Sequence, residues 1–293
     1  MDAPRKPRAL DPRLAPAVAA RRVIRRGIPT VDSLAVEEPL EIRVDGETVA
    51  TTMRTPGADA DLALGFLFAE GILAGARDVS TVTHCGRPGE ESYGNVIDVR
   101  SAGGVRLDPE RILEGRRFVP TTSACGVCGR RAIEGLLARV VPLERGRPLP
   151  QSLVHAAVES LPRVQPAFAT TGGLHAAVAL AEDGTVLGAA EDVGRHNAVD
   201  KVVGALVRAG RVGAGAAAGG TPAIFAVSGR TGFEIVQKAA AARVPVVASV
   251  SAPSSLAVDL AERAGLTLCG FVRGGSMNVY AHAWRLGVEA DDG

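Results

Sequence analysis

The 293-residue chain carries 33 basic and 32 acidic residues, a formal net charge of +1, so no overall field draws it toward nucleic acid or an anionic membrane. Hydrophobic residues make up 46% and aromatic ones only 3%, which excludes a disordered chain and predicts a core of Val, Leu, Ala and Ile. Four cysteines (Cys85, Cys125, Cys128 and Cys269) are too few and too unevenly spaced for a disulfide scaffold, and the expected compartment is a reducing cytoplasm.

Residues 1–28 read as a flexible tail. Neither Arg21-Arg22 nor Arg25-Arg26 is followed by an apolar h-region, so a secretory or twin-arginine signal is not expected. The first ordered unit is a hairpin, because Leu40–Val44 and Glu47–Thr52 flank Asp45-Gly46, a strong two-residue turn signal. Met53–Gly57 breaks that pattern. Ala60–Glu70 then reads as a largely buried helix closed by Gly71, and Arg54 beside it is either an anion contact or a turn residue. Short strands are expected between Val79 and Arg100, the clearest at Asn95–Arg100, and His84-Cys85 ends one of them.

After a basic connector over Leu107–Val119 comes Thr121–Gly129, which places Cys125 and Cys128 three residues apart. It runs into a segment whose Ile133, Leu136, Leu137 and Val140 fall at helical spacing, putting the CxxC at a helix mouth. Free N–H groups there, with Arg130 and Arg131, favour a thiolate near neutral pH. Spacing alone leaves open dithiol redox chemistry, half of a zinc site completed by His84 and Cys85, and persulfide carriage.

Residues 141–150, rich in Pro and Arg, mark the boundary between an N-terminal α+β region over 29–150 and a C-terminal α/β domain over 151–293. In the second half Ala167–Thr171, His175–Ala181 and Thr185–Ala190 are expected as strands. A helix over Asn197–Arg208, a strand over Ala223–Ser228, a helix over Phe233–Ala242, a strand over Val244–Val250, a helix over Ser254–Ala264 and a strand over Leu266–Val272 then alternate. The uncharged run from Val212 to Gly229 is broken by Gly and Pro222, so it reads as a linker feeding a buried strand, not a membrane span.

Polar turns gather at the ends of these strands: Glu191–Asn197, Ser228–Gly232, Ser251–Ser255 and Phe271–Ser276. Each alone is also an ordinary cap or turn, with Asp192, Asn197 and Ser254 as helix caps. Together they carry Arg195, Arg230 and Arg273 beside Gly-rich turns, donors suited to phosphate oxygens, and imply a phosphorylated nucleotide-like ligand. No GxxxxGK[ST] loop, GxGxxG after a strand, or GxSxG elbow is present, which argues against ATP hydrolysis, ordinary dinucleotide redox chemistry and serine hydrolysis.

From about Glu37 to Arg285 the chain resembles the formate dehydrogenase accessory sulfurtransferase family, the FdhD type. The resemblance rests on Glu38–Ile42, Met53–Gly57 with Ala63–Leu67, Cys125–Gly129, Thr171–Gly173 with His175–Ala177, Glu191–Lys201, Ser228–Arg230, Val250–Pro253, and Leu268–Arg273 with Met277–Tyr280. It implies a sulfur carrier that takes persulfide sulfur from a cysteine desulfurase and passes it to the molybdenum cofactor, as bis(molybdopterin guanine dinucleotide), before that cofactor enters formate dehydrogenase. Carried over residue by residue, Cys125 bears the persulfide and Cys128 assists or resolves. The cofactor-contacting segment falls on Phe271, Val272, Arg273, Gly274, Gly275 and Ser276, with Ser228 and Arg230 as further expected contacts and GDP as a stand-in for one nucleotide end. The resemblance also implies a homodimer and a cytidine-deaminase-like three-layer α/β/α domain. Deamination itself lacks its residues: His84, His155, His175, His196 and His282 are not followed two residues later by Glu, and Ala124 stands where Pro would precede the CxxC. The alternatives are a non-catalytic cofactor chaperone and a zinc protein built on the CxxC.

Overall fold

The alternating residues of the first expected hairpin do form one. In the computed structural model, which describes residues 17–86, 93–103, 105, 107, 141–216 and 220–288, strand β3 (Glu38–Val44) pairs antiparallel with β4 (Glu47–Arg54). Asp45 (φ 51°) and Gly46 (φ 90°) both take left-handed backbone, the turn that matches the right-handed twist of the strands. Strands β5 (Val79–His84) and β6 (Val96–Ser101) complete a four-stranded sheet of order β4-β3-β6-β5, in which β3 and β6 run parallel.

The second sheet has six strands in the order β12-β11-β10-β9-β7-β8. These are β7 (His175–Leu180), β8 (Val186–Asp192), β9 (Ile224–Val227), β10 (Val246–Ser249), β11 (Thr267–Arg273) and β12 (Ser276–Ala281). The three central strands β9, β10 and β11 are parallel, and the outer ones run antiparallel to their neighbours. Alternation along the strands sorts their side chains to two apolar clusters. Ala177, Ala179, Phe225, Val227, Val247 and Leu268 face helices α1 (Asp59–Ala69), α4 (Arg195–Arg208), α5 (Phe233–Ala241) and α6 (Ser255–Ala264). Val178, Leu180, Ile224, Ala226, Val246, Ala248 and Cys269 face helix α2 (Gln151–Ser160), through Leu153, Val154 and Ala157. Helices therefore cover both faces of this sheet. Leu40, Ile42, Val44, Ile97 and Val99 of the four-stranded sheet join the first cluster.

Helices α1 and α4 cross at glycines. A Cβ on Gly204 would lie 2.8 Å from Asp61 Cα, and one on Gly65 would lie 2.8 Å from Gly204 N, both far inside ordinary contact. A buried ion pair ties α4 to the end of β8. Asp192 Oδ2 lies 2.7 Å from Lys201 Nζ, with side chains only 0% and 2% exposed, so the charges face each other in a dry environment. The same Oδ2 accepts from Thr55 N–H at 3.1 Å, and Lys201 Nζ donates to Thr55 O at 2.8 Å. One residue of the chain after β4 is thus held at both backbone groups by the C-terminal half.

Arg54 settles as an architectural residue. It is 1% exposed, donates from Nε and Nη2 to the two oxygens of Asp59 at 3.1 and 3.0 Å, and reaches Gly94 O at 2.9 Å. That bidentate geometry suits guanidinium to carboxylate and leaves no fork for an external anion.

Three expectations are corrected. The stretch read as a loose tail contains β1 (Val18–Arg25), which pairs with β2 (Ile28–Ala35) as a separate two-stranded ribbon. Its order comes largely from backbone pairing; only its root, Val18 of β1 and Ala35 of β2, packs against Ala167 and Leu174, so no apolar period betrayed it. Ala167–Thr171 belongs to helix α3 (Pro166–Thr171), not a strand. Pro166 opens it, left-handed Gly172 closes it, and the Glu191 carboxylate accepts from Ala167 and Phe168 N–H at 2.9 and 2.7 Å, overriding the strand preference of Phe and Thr. Phe271–Ser276 is not a loop after the last strand but the end of β11, a Gly274-Gly275 turn and the start of β12. Residues 108–140, with the expected CxxC helix, Cys125 and Cys128, lie outside the described residues.

Candidate functional site

The carboxyl ends of parallel strands expose backbone N–H groups of the helices that follow, so the crevice beyond them attracts anions. Here that edge is formed by Ser228 after β9, Val250 after β10 and Val272-Arg273 at the end of β11, with His175 entering β7 beside them. A cavity of about 650 Å³ opens there, inside the range of small-molecule sites. Its walls are Val158, Leu161, Pro162, Phe168, Leu174, Val250 and Val272; its polar groups come from Gln165, His175, Ser228, Arg273, Glu159 at the rim, and the backbone of Gly172, Gly173 and Gly274.

Four of the residues expected from the sequence therefore meet in one cavity: Ser228, Val272, Arg273 and Gly274. The other four stand outside its lining. Gly275 (φ 75°) completes the turn, and Ser276 Oγ donates to Arg273 O at 3.1 Å, tying that turn together. Phe271 takes φ 53°, a strained conformation for a bulky side chain, at a bulge where the β11–β12 register shifts between Gly270 and Arg273. The bulge leaves its ring 37% exposed. Arg230 is exposed beside the β9–α5 turn, and among the described residues it has no acceptor.

Close backbone approach shapes the polar end. Ser228 Oγ accepts from Ala176 N–H at 2.8 Å, which fixes the turn against β7. A methyl on Gly229 would lie 3.1 Å from His175 Nδ1 and 3.8 Å from Arg195 Cδ, so these two side chains pack close over the turn. Arg195 opens α4, and among the described residues its buried Nε has no partner. The nearby acids are already committed: Asp192 to Lys201, Gly194 and Asn197, Glu191 to the start of α3, and Glu234 to His196 at 3.1 Å. Burial, and then the Arg195 charge, hold His175 below the usual imidazole range, with Asp192 pulling weakly the other way. His196 is pushed down to about 4, chiefly by burial, with Glu234 opposing and Arg195, Lys238 and His175 assisting.

Sequence reasoning missed Gln165, Phe168 and His175 as cavity residues. His175 stood in a quoted block without a role; Gln165 and Phe168 had no signal, since a helix mistaken for a strand points its side chains elsewhere. Among the described residues no cluster of three or more His, Cys, Asp or Glu could hold a metal ion, and no helix is long and apolar enough to cross a membrane. His84 Nε2 lies 3.5 Å from Asp59 Oδ2, at the Arg54 site.

Fold and cavity together define a mixed α/β protein with a largely apolar cavity, edged by Ser228, His175 and Arg273, at its strand ends. The chain belongs to the FdhD/NarQ family, whose model matches residues 35–287. It is 71% identical over 272 residues to the "Sulfur carrier protein FdhD" of Anaeromyxobacter dehalogenans (strain 2CP-C), covering 93% of this chain and 94% of that one. Identity to the protein of the same name in Mycobacterium tuberculosis is 48% over 263 residues, covering 87% and 92%. The fold is similar to the crystal structure of a protein described as a formate dehydrogenase accessory protein from Desulfotalea psychrophila, with TM-score 0.68 at 24% identity over 92% of this chain and 98% of that one.

Proposed function

We propose that this chain is a sulfur carrier that serves formate dehydrogenase by moving a sulfur atom on Cys125 to a molybdenum–pterin guanine dinucleotide held in the cavity at the strand ends. The observation that carries the ligand half is the meeting of Ser228, Val272, Arg273 and Gly274 in one apolar-walled cavity. Apolar walls suit flat heterocycles, and guanidinium groups suit the pyrophosphate between them. The relatives named as sulfur carrier proteins support the sulfur half.

In the proposed sequence the Cys125 thiolate attacks the terminal sulfur of a cysteine desulfurase persulfide, and the desulfurase thiol leaves. Cys128 thiolate then attacks the inner sulfur of the Cys125 persulfide. Hydrosulfide departs toward the metal, and the two electrons it carries leave Cys125 and Cys128 as a disulfide. A dithiol reductant reopens that disulfide for the next round. The molybdenum compound is substrate and cargo here, and the protein supplies the thiols and the cradle. The homodimer, the cytoplasmic setting, the boundary near residue 150 and the kinship of the six-stranded unit to cytidine deaminases belong to the same reading.

Incubation with desulfurase and cysteine, followed by mass spectrometry of the Cys125 peptide, tests it. A gain of one sulfur atom supports transfer; no gain, together with retained cofactor binding, supports a chaperone without sulfur chemistry.

A further inference from the structure

A second cavity, of about 630 Å³, opens at the other end of the six-stranded sheet, lined by Ala223 before β9, Pro245 before β10, and Leu143 and Gly146 of the connection from the N-terminal half. Ala223 and Ser228 flank β9 at opposite ends, about 17 Å apart at strand rise, so the two cavities are separate. Arg285 also lines the second one, and the fold leaves its charge unanswered. It is 3% exposed, yet among the described residues it has no carboxylate partner. Nη2 donates to Gly265 O at 2.8 Å, while Nε has no partner. Nη1, without a hydrogen bond among the described residues, lies 3.7 Å from where a Cβ on Gly146 would stand, against the cavity wall. The guanidinium stacks on the Trp284 ring at 4.4 Å, but Arg145 lies 4.8 Å from the same ring, so two cations share one aromatic group. Burial holds the Arg285 pKa below its ordinary value, as expected of a cation taken out of water without a counter-charge. The acids of the lining do not supply one. Glu144, Glu182 and Asp183 are all exposed; Glu182 pairs with Arg147, and Asp183 accepts from Thr185 N–H at 2.9 Å. Arg243, the other cation of the lining, is exposed and has no acceptor for its side chain among the described residues.

We propose that this cavity is a second binding site, which takes the phosphate or carboxylate group of a small molecule as the missing counter-charge of Arg285, with Arg243 as the outer contact. An oxyanion there accepts from Nη1, and the dry surroundings that make the bare guanidinium costly strengthen that contact. Apolar Leu143, Ala223 and Pro245 leave room beside it for a short carbon body. The site is independent of the strand-end cavity and of Cys125.

Trp284 is the only tryptophan of the chain and stacks on Arg285, so its fluorescence reports on this cavity. The full-length chain, as wild type, Arg285→Gln, Arg243→Asn and Arg273→Ser, is titrated at constant ionic strength with inorganic phosphate, with succinate and, as a control, with chloride. Asn tolerates the left-handed backbone of Arg243 (φ 54°), whose side chain is exposed, so that variant keeps the fold. Wild type is expected to show a saturable change with phosphate or succinate and none with chloride. Arg243→Asn is expected to weaken binding about tenfold, Arg285→Gln to abolish it, and Arg273→Ser to leave it unchanged. Tighter binding of phosphate identifies a phosphoryl ligand and tighter binding of succinate a carboxylate one; either supports the proposal. No saturable change with either anion overturns it, as does an equal response to chloride, or wild-type affinity in Arg285→Gln or Arg243→Asn. A response lost in Arg273→Ser also overturns it, by placing the bound anion in the strand-end cavity.

Discussion

Glycine inside a helix normally weakens it, and replacing an exposed helical Gly by Ala stabilises by about 1 kcal/mol. Gly204 of α4 should behave in the opposite way. Its added methyl would lie 2.8 Å from Asp61 Cα and nearer still to the Asp61 carbonyl, where ordinary carbon contacts begin at about 3.5 Å. The obstacle is backbone, which has no rotamer to yield, and the Asp61 carbonyl lies closest, so α1 and α4 must separate by about an ångström or more. A gap of that size forfeits about half of each contact well across the interface, which includes buried Leu62, Leu67, Ala198 and Val202. Overpacking of this kind costs about 3 kcal/mol, the propensity gain returns about 1, and the net loss for Gly204→Ala is about 2 kcal/mol. For a chain of this size that is a melting temperature about 4–8 °C lower. Scanning calorimetry or urea melts of wild type and variant measure it. A variant as stable as wild type, or more so, would refute the close-crossing account.

Three further outcomes follow from the same geometry. Asp192→Ala leaves Lys201 buried without its counter-charge and frees Thr55, so it should cost about 3–5 kcal/mol in urea denaturation, more than the double change Asp192→Ala with Lys201→Met. His196 resists protonation down to about 4 in the folded chain while the unfolded chain takes the proton near the ordinary 6.5. Stability from this group is thus full above pH 6.5 and is lost as pH falls toward 4, on the order of 3 kcal/mol; urea melts at pH 7 and pH 4.5 should differ less in His196→Gln. Arg273→Ser should weaken GDP binding about tenfold and flatten its salt dependence, read by titration calorimetry at two ionic strengths.

Much of the C-terminal half was legible because its strands and helices alternate with the periods that burial imposes. Val246–Ser249 is buried throughout, as a parallel central strand is, and α4 carries its apolar residues at helical spacing. The candidate contacts were legible in the same way: Arg273 and Ser228 stand at strand ends, where α/β sheets keep their ligands. Residues whose role depends on distant partners were not legible. Arg54 reads from sequence as either an anion contact or a solvated turn residue, and neither reading foresees that Asp59 occupies its fork; Asp192 reads as a cap, without sign of Lys201 and Thr55. Gln165 and Phe168 were hidden because α3 owes its helical form to Glu191, 23 to 26 residues further along the chain. Ribbon β1–β2 was hidden because Ile24, Ile28 and Val31 stay exposed, so no buried face stamped a period on it.

The central claim is that Cys125 accepts a sulfur atom and surrenders it to a compound seated at the strand ends. Its most direct test is the mass of the Cys125 peptide from protein loaded by a cysteine desulfurase, taken before and after adding the molybdenum–pterin guanine dinucleotide. The account predicts one extra sulfur atom before addition and its loss afterwards, with about tenfold more ligand needed for that loss in Arg273→Ser. A Cys125 peptide that never gains sulfur, or that keeps it in the presence of the ligand, would contradict it.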